Sequence, residues 1–169
     1  MEQNQIDMLV KKAKNMDPEA FAQLYKEIYM DLYRFAYYTL RNTHDAEDVV
    51  SETVVDAYYG ITKLKEEKAF KGWIFKILSA KCKRKLKDYT NKTFPLDLEA
   101  DIPGLEKENY DDLNSALLSL SDKERMILSM SIYAGYKSAE IGKTLHMNHN
   151  TVRSVQSRAL DKLRAILEV

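Results

Sequence analysis

A chain of 169 residues with 45% hydrophobic and 31% charged side chains, but only five Gly and three Pro, fits one or two small helical domains better than a sandwich, a barrel or a disordered chain. Its twenty-six basic and twenty-six acidic side chains cancel, so net charge lends nothing to nucleic-acid binding and only a local patch can do so. The single cysteine, Cys82, excludes an internal disulfide framework. With no basic-then-apolar signal segment at the amino end, it fits a reduced, cytoplasmic compartment. No apolar run approaches the roughly 18 residues that cross a bilayer, so direct membrane insertion is not expected.

From Ile6 to about Asp88 the sequence reads as successive helices. Asp17-Pro18 supplies a cap and a first-turn proline. The stripe that follows, Phe21, Leu24, Tyr25, Ile28, Leu32, Phe35 and Ala36, recurs at threes and fours, which buries one face and leaves Lys26, Glu27, Asp31 and Arg34 outside. A second helix is expected from Asp45, with that carboxylate as cap and Asp48 three residues on, to Gly60. Its buried side is Val49, Val50, Thr53, Val54 and Ala57. A third, from about Lys68 to Lys87, carries Phe70, Trp73, Ile74, Ile77 and Leu78 inward and turns strongly basic beyond Leu78.

Residues 88 to 112 hold both remaining prolines and eight acids against two lysines. No helical or strand period runs through them, so they read as a flexible acidic linker. After it, Leu113 to Leu120 forms a short helix, and Ser121-Asp-Lys-Glu124 is a capping box for another that ends near Gly135. Ser138 is expected to cap a third. The chain then turns at His146-Met147-Asn148, and Asn148 caps a final helix from His149. The fold class is all-α, with a domain over 1–88, a linker over 89–112 and a second domain over 113–169.

Residues 138 to 163 place a short helix, a tight turn and a longer helix in series, with Ile141, Leu145, Met147, Val152 and Leu160 apolar, which is the helix-turn-helix pattern. An ordinary helical hairpin shares that spacing. In the DNA-binding geometry, polar side chains at the start of the second helix enter the major groove, where base edges present a readable code. The candidates are Ser138, His149, Asn150, Thr151, Arg153, Ser154, Gln156, Ser157 and Arg158. Six basic side chains against two acidic ones between 137 and 164 suit a phosphate surface.

Catalytic inventory is thin. His146 and His149 straddle a turn without a third ligand beside them, so neither a metal nor any other cofactor is expected. Neither a Gly-rich phosphate loop nor a nucleophile elbow is present. Cys82 lies among Lys81, Lys83 and Arg84, charges that lower a thiol's pKa and would suit a redox role, while the plainer reading is an incidental thiol. An enzyme is the least favoured reading.

Three stretches, HDAEDVVSETVVDAYYG (44 to 60), FKGWIFKI (70 to 77) and the segment from Leu118 to Arg164, carry a resemblance to sigma factors of the extracytoplasmic-function type, covering the chain from about Phe21 to Leu167. The resemblance implies a region-two-like domain that binds core RNA polymerase and opens the minus-ten element. It also implies a region-four-like domain that reads the minus-thirty-five element as duplex.

In that family the acidic helix matching Asp45, Glu47, Asp48, Ser51, Glu52 and Thr53 docks on the clamp of the largest polymerase subunit, and the flap is a further polymerase contact. Five acids and no Lys or Arg between His44 and Gly60 offer a negative face to such a partner, although acids near a helix start also serve the helix dipole alone. The minus-ten strand would be held by Trp73, Lys76, Lys81, Lys83, Arg84, Lys85 and Lys87, with Phe70 and Phe75 as further aromatics. Basic groups neutralise backbone while aromatics receive unstacked bases.

The implied partners are core RNA polymerase, promoter DNA and an anti-sigma factor, which in this family is often membrane-bound. This sequence departs from the family at Ala80 and Arg84, where Asn and Asp are frequent. It departs again at Ser51, where Gln is frequent, at His146 and at Val155-Gln156, so promoter base preference does not transfer. Two other readings compete: a sigma-like regulator that binds DNA without polymerase, and a protein-interaction module.

Overall fold

The computed structural model describes residues 1–90, 112 and 115–167, all helical or in short connections, with no strand among them. Seven main helices follow in chain order: α1 Gln3–Lys14, α2 Pro18–Leu40, α3 Thr43–Gly60, α4 Phe70–Thr90, α5 Asp122–Ile132, α6 Ser138–Leu145 and α7 His149–Leu167. Two 3₁₀ turns, Ile61–Lys63 and Glu67–Ala69, connect α3 to α4.

Local chemistry sets most of the boundaries. Asp17 caps α2, accepting from the amides of Glu19 at 3.0 Å and Ala20 at 3.2 Å, and Pro18 fills the first helical position, where its missing N–H costs nothing. α2 ends at Arg41, which adopts the left-handed conformation (φ 56°) and sends its N–H to the Tyr37 carbonyl at 2.7 Å. The next residue, Asn42, caps α3 by accepting from the Asp45 amide at 2.9 Å. The expected cap at Asp45 is therefore corrected by one turn. Asn42 offers the same oxygen three residues earlier, which leaves the Asp45 carboxylate for another purpose.

Within the first domain α2, α3 and α4 pack together around Leu24, Leu32, Phe35, Ile61, Ile74, Phe75 and Leu78, each under 3% exposed. The stripe read from the sequence of α2 is buried apart from the half-exposed Tyr25. Fully burying an aliphatic or aromatic side chain contributes about 1.5–3 kcal/mol, so this cluster dominates the stability of the domain.

In the second domain the Ser121–Glu124 capping box forms as expected, Ser121 Oγ taking the Glu124 amide at 3.2 Å and the Glu124 carboxylate taking the Ser121 amide at 2.9 Å. Ser138 is the first residue of α6 and not its cap. Lys137 stands at that position, and its amide donates to the Glu140 carboxylate at 2.8 Å. Residues 115–118 are helical, while the rest of the expected Leu113–Leu120 helix start and nearly all of the acidic linker lie outside the described residues.

The two domains do not merely share a tether. α5 packs on α2; Tyr38 and Tyr133 stack with centroids 5.8 Å apart and planes 11° apart; and the Tyr136 hydroxyl donates to the Gly72 carbonyl at 2.5 Å. One contiguous hydrophobic cluster runs through both.

Candidate nucleic-acid and partner interfaces

The acidic helix α3 has an inner and an outer side. Glu47, Ser51 and Glu52 are exposed and Asp48 is half-exposed, whereas Asp45 is 8% and Thr53 0% exposed. Thr53 returns its hydroxyl to the Val49 carbonyl at 2.6 Å. Asp45 accepts from the Tyr89 hydroxyl through one oxygen, and its other oxygen lies 3.5 Å from Lys85 Nζ. Burial above all, then the bond to Asp45 and its charge, pushes the Tyr89 phenol far above its usual range, so it stays a donor at any physiological pH. Asp45 and Thr53 hold the domain together and are not surface contacts.

Sequence reading missed two members of the outer side. Val55 is 54% and Tyr59 70% exposed, and with Asp48 and Glu52 they form a row at spacings of three and four. That row was legible as a second stripe opposite Val49, Val50, Thr53 and Ala57, and it adds apolar area to the acidic face.

The basic run of α4 divides in the same way. Lys81 lies 2.8 Å from Asp56 and 3.6 Å from Glu52; Lys85 joins Asp45. These two, four residues apart, bind α4 to α3. Lys76, Lys83, Arg84 and Lys87 are exposed on the other side. The aromatic candidates separate too: Phe70 is 3% and Phe75 0% exposed, both core, with Phe75 against Phe35 at 5.5 Å. Trp73 alone remains half-exposed, its ring over Gly60, where an added Cβ would meet it at 3.3 Å.

Of its two readings, Cys82 fits the incidental thiol. Its side chain is fully buried, and burial pushes the thiol well above its ordinary range. Lys83 and Arg84 are exposed and Lys81 is paired with Asp56, so these charges do not offset the burial that keeps the thiol from redox chemistry. Among the described residues no group of three His, Cys, Asp or Glu is placed to hold a metal.

Between α4 and the second domain runs a cleft of about 810 Å³ lined in part by Lys63, Lys65, Lys68, Trp73, Tyr136 and Lys143. A neighbouring hollow of about 550 Å³ includes Lys76, Lys83, Arg84, Lys87 and Lys143. The lysines at 63, 65 and 68 were not singled out in sequence, because Glu66 and Glu67 alternate with them, and only the fold brings them, with Lys143 of the basic 137–164 segment, beside α4.

The helix-turn-helix forms as read. His146 takes the left-handed conformation (φ 56°) that turns the chain after α6, and Met147 donates its amide to the Gly142 carbonyl at 2.8 Å. Asn148 Oδ1 caps α7 through the Asn150 amide at 2.8 Å. Val152, Val155 and Ala159 are buried, while His149, Asn150, Thr151, Arg153, Ser154, Ser157 and Arg158 are exposed. Ser138 is half-exposed at the start of α6. Gln156 is drawn inward, donating to Ser131 Oγ at 2.9 Å, which removes it from the outward face.

Two helical domains, one with an acidic and a basic face and one with a helix-turn-helix, define the architecture of a sigma-70-type protein. The chain matches the family models Sigma-70 region 2 over residues 24–92 and Sigma-70, region 4 over residues 116–165. It is 25% identical to the ECF RNA polymerase sigma factor SigW of Bacillus subtilis over 92% of each chain. To the RNA polymerase sigma factor SigV of the same species it is 29% identical, over 79% of this chain and 82% of that one. Its fold resembles that of the sigma factor RpoE from Bartonella quintana, solved with the anti-sigma factor NepR, with a TM-score of 0.68 at 21% identity, covering 88% of this chain and 97% of that one. The chain belongs to the extracytoplasmic-function family of RNA polymerase sigma factors, non-enzymatic proteins that direct transcription initiation. Among the described residues no helix is long and apolar enough to cross a membrane.

Proposed function

We propose that this sigma factor docks on the polymerase clamp through the outer side of α3, using Glu47, Asp48, Ser51 and Glu52 with Val55 and Tyr59 beside them. The outer side of α4, Lys76, Lys83, Arg84 and Lys87 with Trp73, then takes the non-template strand of the minus-ten element. The start of α7, His149, Asn150, Thr151, Arg153, Ser154, Ser157 and Arg158, reads the minus-thirty-five duplex in the major groove.

The observation that carries this reading is the division of each helix into a side spent within the domain and a side left in solvent. Glu47 and Asp48 remain on the outer side of α3, Glu52 stands at its edge within 3.6 Å of Lys81, and exposed bases and one aromatic remain on the outer side of α4. Opposite charges on separate faces suit two partners of opposite charge, a basic protein surface and a nucleic-acid backbone. Bases pulled from the stack need an aromatic within reach of the basic groups, and Trp73 is the one α4 offers.

An anti-sigma partner, membrane-anchored or not, is part of this proposal. The RpoE structure with NepR supports it, and such a partner would act in the cytoplasm, where polymerase and DNA are.

The test is promoter-dependent transcription in vitro with core polymerase, the full chain and genomic promoter fragments. Glu47→Lys with Asp48→Lys is expected to abolish new transcripts while leaving duplex binding intact. Transcripts that persist with the reversed helix would overturn the clamp assignment. Duplex binding without any association with polymerase would favour a free regulator.

A further inference from the structure

Among the described residues five buried side-chain polar atoms lack a hydrogen-bond partner: Thr39 Oγ1, the three nitrogens of Arg41 and Arg125 Nε. A hydroxyl can donate or accept, but the nitrogens can only donate, and they belong to two guanidinium cations. No side-chain carboxylate or amide oxygen stands unmet beside them. A deficit made of cationic donors marks a place short of negative charge, and buried polar groups in a native fold are as a rule paired.

Arg41 follows the last turn of α2, is 0% exposed, and is the largest of the fully buried side chains. The Tyr37 ring meets the flat side of its guanidinium, with the ring centroid 5.0 Å from the guanidinium carbon. A ring face attracts a cation, but it leaves the five N–H groups in the plane of the fork without an acceptor. Arg125, on α5, is the second cation. It donates to the Leu120 carbonyl at 2.6 Å and to Asp122 through its two terminal nitrogens, which leaves Nε–H unmet. Burial lowers its affinity for a proton most; the charge and hydrogen bond of Asp122 oppose that, and the charge of Arg41 lowers it further. Asp122 is itself 52% exposed. Two buried guanidinium groups thus share one carboxylate that is half in water.

A buried charge without a counter-charge is among the costliest arrangements a protein interior can hold, and arginine does not escape it by losing its proton. We propose that Arg41 is the principal donor of a buried binding site for a single small inorganic anion of the size of chloride, with Arg125 Nε–H as its second donor. The anion neutralises the excess positive charge and takes the N–H groups that the protein leaves without an acceptor.

The donors select the ligand. A monatomic anion accepts from any direction and carries no lone pairs that need a fixed geometry, so one guanidinium fork and one further N–H suffice for it. A carboxylate or phosphate brings several oxygens, each with two lone pairs to satisfy, and the unmet donors here are too few to keep such an ion from being under-satisfied in turn. The site is independent of the sigma reading, since neither Arg41 nor Arg125 is among the residues assigned to polymerase or promoter.

Crystals of the unsubstituted full chain soaked in sodium bromide, measured at the bromine absorption edge, locate the anion directly. An anomalous peak in hydrogen-bond contact with the Arg41 nitrogens is expected. Peaks confined to exposed lysines would mean an adventitious ion only and would overturn the proposal. In solution, urea unfolding at fixed ionic strength, with sodium chloride replacing sodium gluconate, reads the same site. For the unsubstituted chain the unfolding constant is expected to fall about tenfold for each tenfold rise in chloride above the Kd. Arg41→Met keeps the bulk, removes the charge and leaves every surface lysine in place, and its unfolding constant is expected not to respond to the exchange. A flat response in the unsubstituted chain, or the same chloride dependence in both chains, would also overturn the proposal. Should Arg41→Met fail to fold, the bromide map of the unsubstituted chain decides.

Discussion

Tyr89 donates its hydroxyl to the Asp45 carboxylate, joining the last turn of α4 to the first turn of α3 across 44 residues of chain. The pair is a closure for the four-helix domain, because α4 is the last element laid on α3. Tyr89→Phe leaves the nearly buried Asp45 with Lys85 as its remaining side-chain partner. The expected cost is about 1–2 kcal/mol, the usual loss for an unmet buried acceptor. Urea denaturation followed by helical circular dichroism measures it, and a midpoint equal to that of the unsubstituted chain would show that the bond is not a closure.

The two sides of α4 make a sharper prediction, because neighbours in sequence should behave oppositely. Lys83→Ala and Arg84→Ala should each weaken binding of a fluorescent single-stranded oligonucleotide and each reduce the salt slope by about one. Lys81→Met should leave strand binding unchanged and lower stability by no more than about 1 kcal/mol, since its partners Glu52 and Asp56 are solvent-exposed. Equal losses from all three would mean that the division of α4 does not govern strand binding.

What could be read in the sequence follows from the range of the interaction. Asp17-Pro18, Ser121 with Glu124 and Asn148 act within one turn, so residue type and spacing identify them. Asp45 and Ser138 were misplaced as caps because a neighbour one to three residues earlier, Asn42 or Lys137, occupies the position with equal or adequate geometry. Phe75 looked like a base-stacking group until the helical phase of α4 was fixed by Ile74, Leu78 and Cys82, which put it inside. The seam between Tyr38 and Tyr133 had no local signal at all. Two tyrosines nearly a hundred residues apart meet only because α5 lies on α2, and neither periodicity nor charge announces that packing.

The turn of the helix-turn-helix depends on a missing side chain. A Cβ added at Gly142 would sit 2.5 Å from the Met147 carbonyl oxygen, and that oxygen belongs to backbone fixed between His146 and the α7 cap. Gly142→Ala should therefore force the turn open, at about 1–3 kcal/mol for overpacking, and displace α7 relative to α6. Duplex binding is expected to fall with it, while the binding of a single strand to α4 remains. Loss of both together, with normal helical content, would mean that the two surfaces do not act separately.

Glu124 gives the second domain a dependence on pH. Burial alone would raise its pKa, but the bond from Lys162, the bond from the Ser121 amide and the charges of Lys162 and Arg158 outweigh it and hold the carboxyl below its ordinary range. Lys162 Nζ lies 2.9 Å and 3.2 Å from its two oxygens, so the ionised form ties the start of α5 to α7. A carboxyl with a depressed folded pKa contributes stability that is fully present above its unfolded value, about 4.3, and is lost as pH falls through the folded one. Glu124→Gln keeps the shape and removes the charge. The variant should be less stable than the unsubstituted chain at about pH 7, by no more than about 1 kcal/mol for a partly exposed pair, and the two should converge as the pH drops below about 4. Denaturation midpoints across that interval measure the convergence, and a difference that persists undiminished in acid would assign the effect of the substitution to the capping bond and not to the charge.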